Sequence, residues 1–287
     1  MKSTDTLRDL SRYFSTHPLT RDAPYGAWAR FVSWQVRSRL EKEVIVEWIG
    51  GQRLAVRLGM HGATGNIYVG LDEFCDMMLA LHLLREGDLF LDVGSNIGSY
   101  TVLASGVRRA MTQAFEPDPD TVAALKRNID INCLNDRVVV HEVALGDIDG
   151  TVLFTRGLDT VNRIASERDS AVRSVSIRRL DSVGGANRPL MIKMDVEGFE
   201  EGVVRGAVGL LAGSSLKVIQ LETVTPYIET TLHQHGFERG YYDPFHRALT
   251  TSPNGLPSAN AVFARDWEFV ADRLLVAPAV DVLGKSI

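Results

Sequence analysis

Residues 88–98 read Asp88-Leu-Phe-Leu-Asp92-Val-Gly94-Ser-Asn96-Ile-Gly98. The apolar run at 89–93 predicts a buried parallel strand that is covered on both faces. Gly94 and Gly98 let the backbone approach a ligand where a Cβ atom would clash. Residues 97–107 are predicted to form a helix whose free N–H groups point at that ligand. The stretch therefore predicts a strand, a glycine turn and a helix around a bound ligand.

The turn in this stretch favours one kind of cofactor over another. A dinucleotide fingerprint, G-x-G-x-x-G, needs glycines where this chain has Asp92 and Ile97. A carboxylate at Asp92 repels a pyrophosphate but suits the ammonium of S-adenosylmethionine, whose carboxylate the turn and the helix N-terminus would take. The alternative is an ordinary strand–turn–helix unit of an α/β protein, with Asp92 as an incidental cap.

A second acid stands at the end of the next predicted strand, residues 111–116. Glu116 comes 22 residues after Gly94, close to the offset of about 20 residues at which an acid holds ribose hydroxyls. A carboxylate accepts two hydrogen bonds in the geometry of a vicinal diol. Asp118 is predicted to cap a helix at 121–131. Glu116 therefore supports a cofactor that contains a ribose, and its alternative role is a solvated acid at a strand end.

Five segments of the chain resemble one known family. They read FLDVGSNIGSYTVLAS, AFEPDPDTVAALKRNIDIN, VALGDIDG, IKMDVEGFEEGVVRGA and VIQLET, in that order. The ordered set resembles the FkbM-type S-adenosylmethionine-dependent methyltransferases over roughly residues 62–265, most of all in KMDVEGFE. The resemblance implies methyl transfer to a hydroxyl group of a sugar or a natural product.

The same resemblance implies the residues of the site. Glu116 would hold the ribose, and Ala144 and Leu145 would lie near the adenine. Asp195 and Glu197 would face the reacting methyl group. Ser95 stands where many members have alanine. The implied cofactor-binding set is Asp92, Gly94, Ser95, Asn96, Gly98, Glu116, Ala144, Leu145 and Asp195.

Strands and helices alternate along the chain, which predicts an α/β fold with right-handed crossovers. The expected architecture is a Rossmann-like class I methyltransferase fold: a mostly parallel seven-stranded sheet, helices on both faces and a helical N-terminal extension. The strands are predicted at 89–93, 111–116, 137–142, 190–195 and 217–222, with a terminal pair at 237–242 and 260–265. A hairpin at 151–155 and 174–179 encloses a surface insertion at 156–173, and a long loop at 243–259 overhangs the sheet edge. The predicted divisions are 1–60, 61–266 and 267–287.

Three acids are expected to meet where the fourth and fifth strands end. Asp195 and Glu197 follow the fourth strand, and Glu222 ends the fifth. Because side chains alternate along a strand, Lys193 and Asp195 share a face and can pair. Three neighbouring carboxylates need a positive charge, which Lys193, the substrate, a divalent metal or the sulfonium supplies.

These acids are the predicted catalytic residues. Asp195 or Glu197 is the candidate general base, and Glu222 and Asn260 are candidate ligands of the acceptor. His246, in the long loop, is an alternative base. Metal dependence stays open at this point.

Composition narrows the classes of partner. The chain has 287 residues, 45% of them apolar, and a formal charge of −5 with no long basic run, which argues against a nucleic-acid substrate. Two cysteines make a disulfide framework improbable. No stretch approaches the roughly 18 apolar residues of a membrane span, so a cytoplasmic protein is expected. The amphipathic segment at 267–275 is predicted to pack on the domain or on a second subunit of a homo-oligomer.

Three other functions are alternatives to O-methyl transfer. A nicotinamide-dependent oxidoreductase is disfavoured by the missing glycines. A non-catalytic cofactor-binding scaffold would bind the cofactor without turnover. A methyltransferase acting on protein or RNA lacks support, because the chain has neither an NPPY-like motif nor a basic patch.

Overall fold

A computed structural model describes residues 3–155, 171–186, 188–253 and 255–287. Most of the predicted surface insertion at 156–173 lies outside these ranges. The chain begins with helices α1 (Ser3–Thr16) and α2 (Pro24–Leu40), then strands β1 (Val44–Glu47) and β2 (Arg53–Val56), then helices α3 (His61–Val69) and α4 (Phe74–Leu83). The predicted N-terminal helices and the hairpin around Gly50 and Gly51 are confirmed.

The remaining strands include all the predicted ones, in their predicted order, and four short strands that were not predicted. They are β3 (Leu89–Val93), β4 (Met111–Phe115), β5 (Val138–His141), β6 (Ala144–Leu145), β7 (Gly150–Thr155), β8 (Val172–Arg178), β9 (Met191–Met194), β10 (Val218–Leu221), β11 (Glu238–Asp243), β12 (Ala248–Thr250), β13 (Ala261–Ala264), β14 (Asp281–Val282) and β15 (Lys285–Ser286). The later helices are α5 (Ser99–Val102), α6 (Pro119–Ile131), α7 (Glu200–Arg205), α8 (Val208–Ala212), α9 (Pro226–Gln234) and α10 (Trp267–Leu275).

The central sheet has the order β12-β11-β13-β10-β9-β3-β4-β5, counted over the described ranges. The five strands from β10 to β5 are parallel, and β13 runs antiparallel between β10 and β11. The carboxyl ends of the parallel strands therefore meet at one edge, which is where ligands bind in open α/β sheets. The predicted α/β class, with its mostly parallel sheet, is confirmed.

The sheet has one strand more than predicted. Eight strands are paired in the part of the chain that the structure describes, because Ala248–Thr250 forms a hairpin with the end of β11. Asp243 Oδ1 accepts the amides of Phe245 and His246, and Arg247 takes a left-handed backbone conformation with φ 52°. These interactions close a tight turn inside the predicted 243–259 loop. A three-residue edge strand is too short to show an alternating pattern.

Both faces of the central strands are covered. Phe90 and Met191 pack against α4 and α10 on one face, while Leu91 and Ile192 pack against α7, α8 and α9 on the other. A third cluster joins the N-terminal elements to α6 through residues such as Phe14 and Leu125. The N-terminal elements thus share a hydrophobic core with the strand–turn–helix unit. This packing explains why the central strands read as continuous apolar runs.

Two further differences concern local structure. The helix predicted at 97–107 begins at Ser99 and changes to a π-helical turn at Leu103–Val107. The tail beyond α10 forms a small hairpin of β14 and β15, which was not predicted. The hairpin predicted at 151–155 and 174–179 is confirmed as β7 and β8, with β6 as a third strand. Among the helices that the structure describes, none has the length and apolar character needed to cross a membrane.

Candidate active site

The glycine turn brings the ends of three strands together. The amides of Gly94 and Ser95 both donate to the carbonyl of Phe115, at 3.0 Å each, which ties the turn to the end of β4. A Cβ atom on Gly94 would stand 1.8 Å from the carbonyl oxygen of Asp195, and Gly94 has φ 75°. Only glycine fits both constraints, because it lacks the Cβ atom and tolerates positive φ.

The amides of this turn are occupied by the protein itself. Asn96 N donates to Glu116 Oε2 at 3.1 Å, Ile97 N to Asn96 Oδ1 at 2.7 Å, and Gly98 N to the carbonyl of Ser95 at 2.8 Å. The expectation of a helix that starts at residue 97 and offers free N–H groups to a ligand is therefore wrong. The left-handed conformation of Asn96, φ 50°, turns these amides back into the protein. The amides of Gly94 to Gly98 are therefore not available to a ligand at this turn.

Glu116 lies in the wall of a cleft beside this turn. Its two carboxylate oxygens accept the amides of Asn96 and Asp118, one each, at 3.1 and 3.0 Å. Each oxygen keeps a second lone pair, so the side chain can still accept two hydroxyl groups. Burial raises the pKa of Glu116 to about 7. The predicted cap is also confirmed, since Asp118 Oδ1 accepts the amides of Asp120 and Thr121 at the start of α6.

The cleft has a volume of about 290 Å³, near the lower end of the roughly 300–1,000 Å³ seen for ligand pockets. It gathers most of the predicted residues. Its wall includes Gly94, Ser95, Asn96, Glu116, Ala144, Leu145, Asp195, Glu197 and Glu222. One end is apolar, with Phe154 from β7 and Phe199 beside Ala144 and Leu145. The other end carries the acids.

Two predicted cofactor residues stand behind the wall of the cleft. Asp92 is 1% exposed, and its Oδ2 accepts the Thr101 hydroxyl at 2.6 Å, while Oδ1 has no hydrogen-bond partner among the described groups. Burial raises the pKa of Asp92, and the facing Lys193 opposes that shift. A Cβ atom on Gly98 would stand 2.5 Å from a methyl group of Leu125, so this glycine permits helix packing.

The three predicted acids come together at the ends of β9 and β10. Asp195, Glu197 and Glu222 each place a carboxylate oxygen within 4.8 Å of the others. Lys193 Nζ lies 2.7 Å from Asp195 Oδ2 and 4.7 Å from the centre of the Tyr100 ring. The predicted pairing of Lys193 with Asp195 is thus confirmed. Carboxylate oxygens grouped in this way are also the ligand type that Mg²⁺ and Ca²⁺ take.

The surroundings of these acids give them different pKa values. Burial raises the pKa of Asp195, but the charge and hydrogen bond of Lys193 outweigh burial, so the pKa lies below its ordinary value. Partial burial and the negative charge of Asp195 raise the pKa of Glu222 to about 7, and burial also raises the pKa of Glu197. Near neutral pH, Asp195 is ionised and Glu222 exchanges a proton readily. Neighbouring carboxyls with separated pKa values are typical of acid–base sites.

The cleft also contains residues that the sequence did not predict. Asp72 and Glu73 lie in its wall just before α4, together with Asn66 of α3 and Tyr100. Tyr13 of α1 donates its hydroxyl to Asp72, and Tyr100 donates to Glu73 at 2.5 Å. The sequence does show two adjacent acids just before an apolar helix, which could have indicated a site. These acids are far in sequence from the other motifs, so nothing linked them to the cleft.

The histidines and Asn260 lie elsewhere. The side chain of His246 is 80% exposed, pairs with Asp243 at 2.7 Å and is not part of the cleft wall. His235 ends α9, where its Nδ1 contacts the carbonyl of Thr231 at 2.8 Å. Asn260 is buried, and its Nδ2 donates to Glu73 at 3.2 Å. Asn260 therefore reaches the acids of the cleft through Glu73.

An α/β fold with a glycine turn, a strand-end acid and an acidic cleft is typical of Rossmann-like enzymes that bind a nucleotide cofactor. The Methyltransferase FkbM domain matches this chain over residues 92–249. That range is more than half of the chain and includes the turn, Glu116 and all three acids. The chain belongs to the FkbM methyltransferase family.

Two curated relatives have known names. The hexuronic acid methyltransferase AglP of Haloferax volcanii is 29% identical over 146 residues, 50% of this chain and 59% of the relative. The 31-O-demethyl-FK506 methyltransferase FkbM of Streptomyces tacrolimicus is 34% identical over 105 residues, 36% of this chain and 39% of the relative. The chain thus matches about two fifths to three fifths of the length of these relatives.

Solved structures with related folds are more distant. TYW2 of M. jannaschii, in complex with AdoMet, is 14% identical with a TM-score of 0.41 and covers 78% of this chain and 87% of that one. A TehB-like SAM-dependent methyltransferase from Corynebacterium glutamicum is 14% identical with a TM-score of 0.42 and covers 72% of this chain and 95% of that one.

Proposed function

We propose that this protein is an S-adenosylmethionine-dependent O-methyltransferase that acts on a hydroxyl group of a sugar or natural product. One observation carries the proposal: Glu116 and the pair Asp195–Glu222 lie in the wall of the same cleft. The wall of one cleft therefore offers a candidate ribose-binding acid and a candidate proton acceptor. The names of AglP and FkbM, a hexuronic acid methyltransferase and a demethyl-FK506 methyltransferase, support this class of acceptor.

The residues of the cleft fit the chemistry of this cofactor. Glu116 retains two acceptor sites for the ribose hydroxyls. Ala144, Leu145 and Phe154 form the apolar end that suits an adenine ring. At the other end, the carboxylates of Asp72 and Asp195 suit an ammonium group. When bound, S-adenosylmethionine supplies a methyl group on a positively charged sulfur.

The carboxylate of the cofactor needs a different partner from the one first expected. The amides from Gly94 to Gly98 already donate within the protein. Other donors in the cleft wall include the side chains of Asn66, Ser99 and Lys193. Asn66 Nδ2 lies 3.3 Å from Ser99 Oγ, so the two polar groups are adjacent. We assign the carboxylate to these side-chain donors.

Among the three acids, Glu222 fits the role of general base best. A base works most efficiently when its pKa lies near the working pH, and the pKa of Glu222 is about 7. Lys193 keeps Asp195 ionised, and Asp195 in turn holds the pKa of Glu222 up. The acceptor's hydroxyl proton would pass to a Glu222 carboxylate oxygen. Asp195 and Glu197 would then orient the reactants and balance the charge around them.

Positioning should contribute more than proton removal. Alignment of two reactants provides effective concentrations of about 10⁵–10⁸ M, whereas a general base adds about 10²–10⁴-fold. Loss of cleft residues that hold the cofactor should therefore reduce turnover more than loss of Glu222 does.

The experiment uses the full chain with methyl-tritiated S-adenosylmethionine and a panel of uronic acids, neutral sugars and macrolide alcohols. The expected product is a labelled methyl ether that survives mild base. A base-labile methyl ester or labelled protein would contradict O-methylation of a hydroxyl. Cofactor binding by calorimetry without transfer to any acceptor would favour the scaffold instead. Parallel reactions with EDTA and with Mg²⁺ test whether the acid cluster uses a metal.

A further inference from the structure

A second cavity opens beside the acid cluster. It has a volume of about 650 Å³ and lies over the antiparallel edge of the sheet, between β11 and the chain around Ser258. We call it the edge groove. The groove is lined by, among others, Glu222, Arg239, Tyr241, Ser258 and Asn260.

The edge groove adjoins the cofactor cleft at Glu222. Glu222 lines both cavities. Asn260 lines the groove, and its side chain donates to Glu73, which lines the cleft. A molecule in the groove can therefore present an atom to Glu222, which also lines the cleft.

One wall of the groove is fixed by a buried acid. Asp76 of α4 accepts the hydroxyl of Ser258 at 2.8 Å and the amides of Ala259 and Asn260 at 2.8 and 3.3 Å. The side chain of Asp76 is 1% exposed. Hydrogen bonds from three groups to one buried carboxylate hold this segment against α4. The groove is thus formed before any ligand enters.

Among the described residues that line the groove, Arg239 is the one with a cationic side chain. Its guanidinium lies 5.9 Å from the centre of the Tyr241 ring, and it makes no ion pair with any described carboxylate. An exposed, unpaired guanidinium next to an aromatic ring can bind an anion bidentately while the ring packs on a sugar face.

We propose that the edge groove is the acceptor subsite, and that Arg239 selects acceptors that carry an anionic group, a carboxylate or a phosphate, besides the reacting hydroxyl. This inference rests on the proposed function and names its substrate class. Glu222 lines the groove and lies close to Asp195 and Glu197, and these acids repel an anion, so an anionic acceptor needs a cation in the groove wall. Glu222 and Arg239 place opposite charges in the wall of one cavity.

The test measures binding by saturation-transfer NMR on the full chain loaded with S-adenosylhomocysteine. The probes are D-glucuronate, D-glucose 6-phosphate and D-glucose. We expect one or both anionic sugars to bind about ten- to a hundredfold more tightly than glucose, as one charged hydrogen-bonded contact implies. Whichever of the two binds more tightly identifies the anion.

Variants test whether Arg239 is the residue that causes the preference for an anionic sugar. Arg239→Gln should remove the preference for the anion while leaving glucose binding unchanged, and Arg239→Lys should restore part of it. Tyr241→Leu should weaken all three sugars alike. Arg188→Gln is the matched control, because Arg188 is exposed, precedes the central strand β9 and does not line the groove.

Two outcomes overturn the inference: equal binding of the three sugars, including no binding of any, or a preference that survives in Arg239→Gln. Both are read on protein that binds S-adenosylhomocysteine. Failure to bind that cofactor product overturns the proposed function instead, so the two failures are distinguishable.

Discussion

Lys193 and Asp195 form an ion pair at the end of β9, with Nζ 2.7 Å from Oδ2. The lysine side chain is 5% exposed, and Asp92 faces it from the neighbouring strand. Partial burial and the negative charge of Asp195, which Lys193 keeps ionised, together raise the pKa of the adjacent Glu222 to about 7. The buried lysine thus acts on the candidate base only through Asp195.

Lys193→Met should destabilise the fold. The change leaves Asp92 and Asp195 without their buried cation, and loss of one partner of a buried pair costs about 3–5 kcal/mol. The free energy of unfolding in urea measures the effect. The double variant Lys193→Met/Asp195→Leu should recover part of the loss. An additive double variant would show that the pair does not interact.

Glu222→Gln should lower kcat by about 10²–10⁴-fold, the usual contribution of a general base. In the native protein kcat should rise with pH through about 7, because only the ionised carboxylate accepts a proton. The variant should lose this limb while its affinity for the cofactor is unchanged. Glu229→Gln, on the exposed side of α9, is the control. An unaltered pH profile in Glu222→Gln would assign the base to another residue.

Glu116→Gln should weaken binding of S-adenosylhomocysteine by about ten- to a hundredfold, since hydrogen bonds to a charged group contribute about 1.5–3 kcal/mol. The pKa of Glu116 is about 7, so the native affinity should also fall as the pH drops from 8 to 6. The ionised form accepts two hydroxyls and the protonated form fewer. Calorimetry at several pH values checks both effects, with the exposed Glu86→Gln as control. Equal affinity in the two variants would remove Glu116 from the ribose site.

Gly94→Ala should destabilise the protein by about 3 kcal/mol or more. The added Cβ atom would stand 1.8 Å from the Asp195 carbonyl, and overpacking of about 1–3 kcal/mol adds to a left-handed backbone cost of about 1–2 kcal/mol. Gly87→Ala is matched, because Gly87 also has positive φ but no atom near its Cβ position. The Gly87→Ala variant should be destabilised only by the left-handed backbone conformation, by about 1–2 kcal/mol. Similar melting temperatures for the two variants would contradict the close approach.

The sequence predicted the central strands to within about one residue. Leu89–Val93 and Val218–Leu221 are buried on both faces, so their apolar runs carry a local signal that tertiary packing does not alter. Lys193 and Asp195 were paired by alternation along one strand, which is also a local property. Glu116 followed from its offset after Gly94.

The remaining features depend on contacts between distant segments. The amides of Gly94 and Ser95 are occupied by the carbonyl of Phe115, which the turn sequence alone does not contain. Glu73 enters the cleft because α4 packs beside β3 and brings it to Tyr100. The edge groove needs Arg239 and Ser258, which come from separate segments. No local pattern contains these juxtapositions.

A crystal structure of the full chain with S-adenosylhomocysteine tests the central claim most directly. The ribose hydroxyls should contact Glu116, the adenine should lie against Ala144 and Leu145, and the sulfur should lie on the side of the cleft that holds Asp195 and Glu222. A cofactor bound elsewhere, or a ribose that does not touch Glu116, would contradict the account.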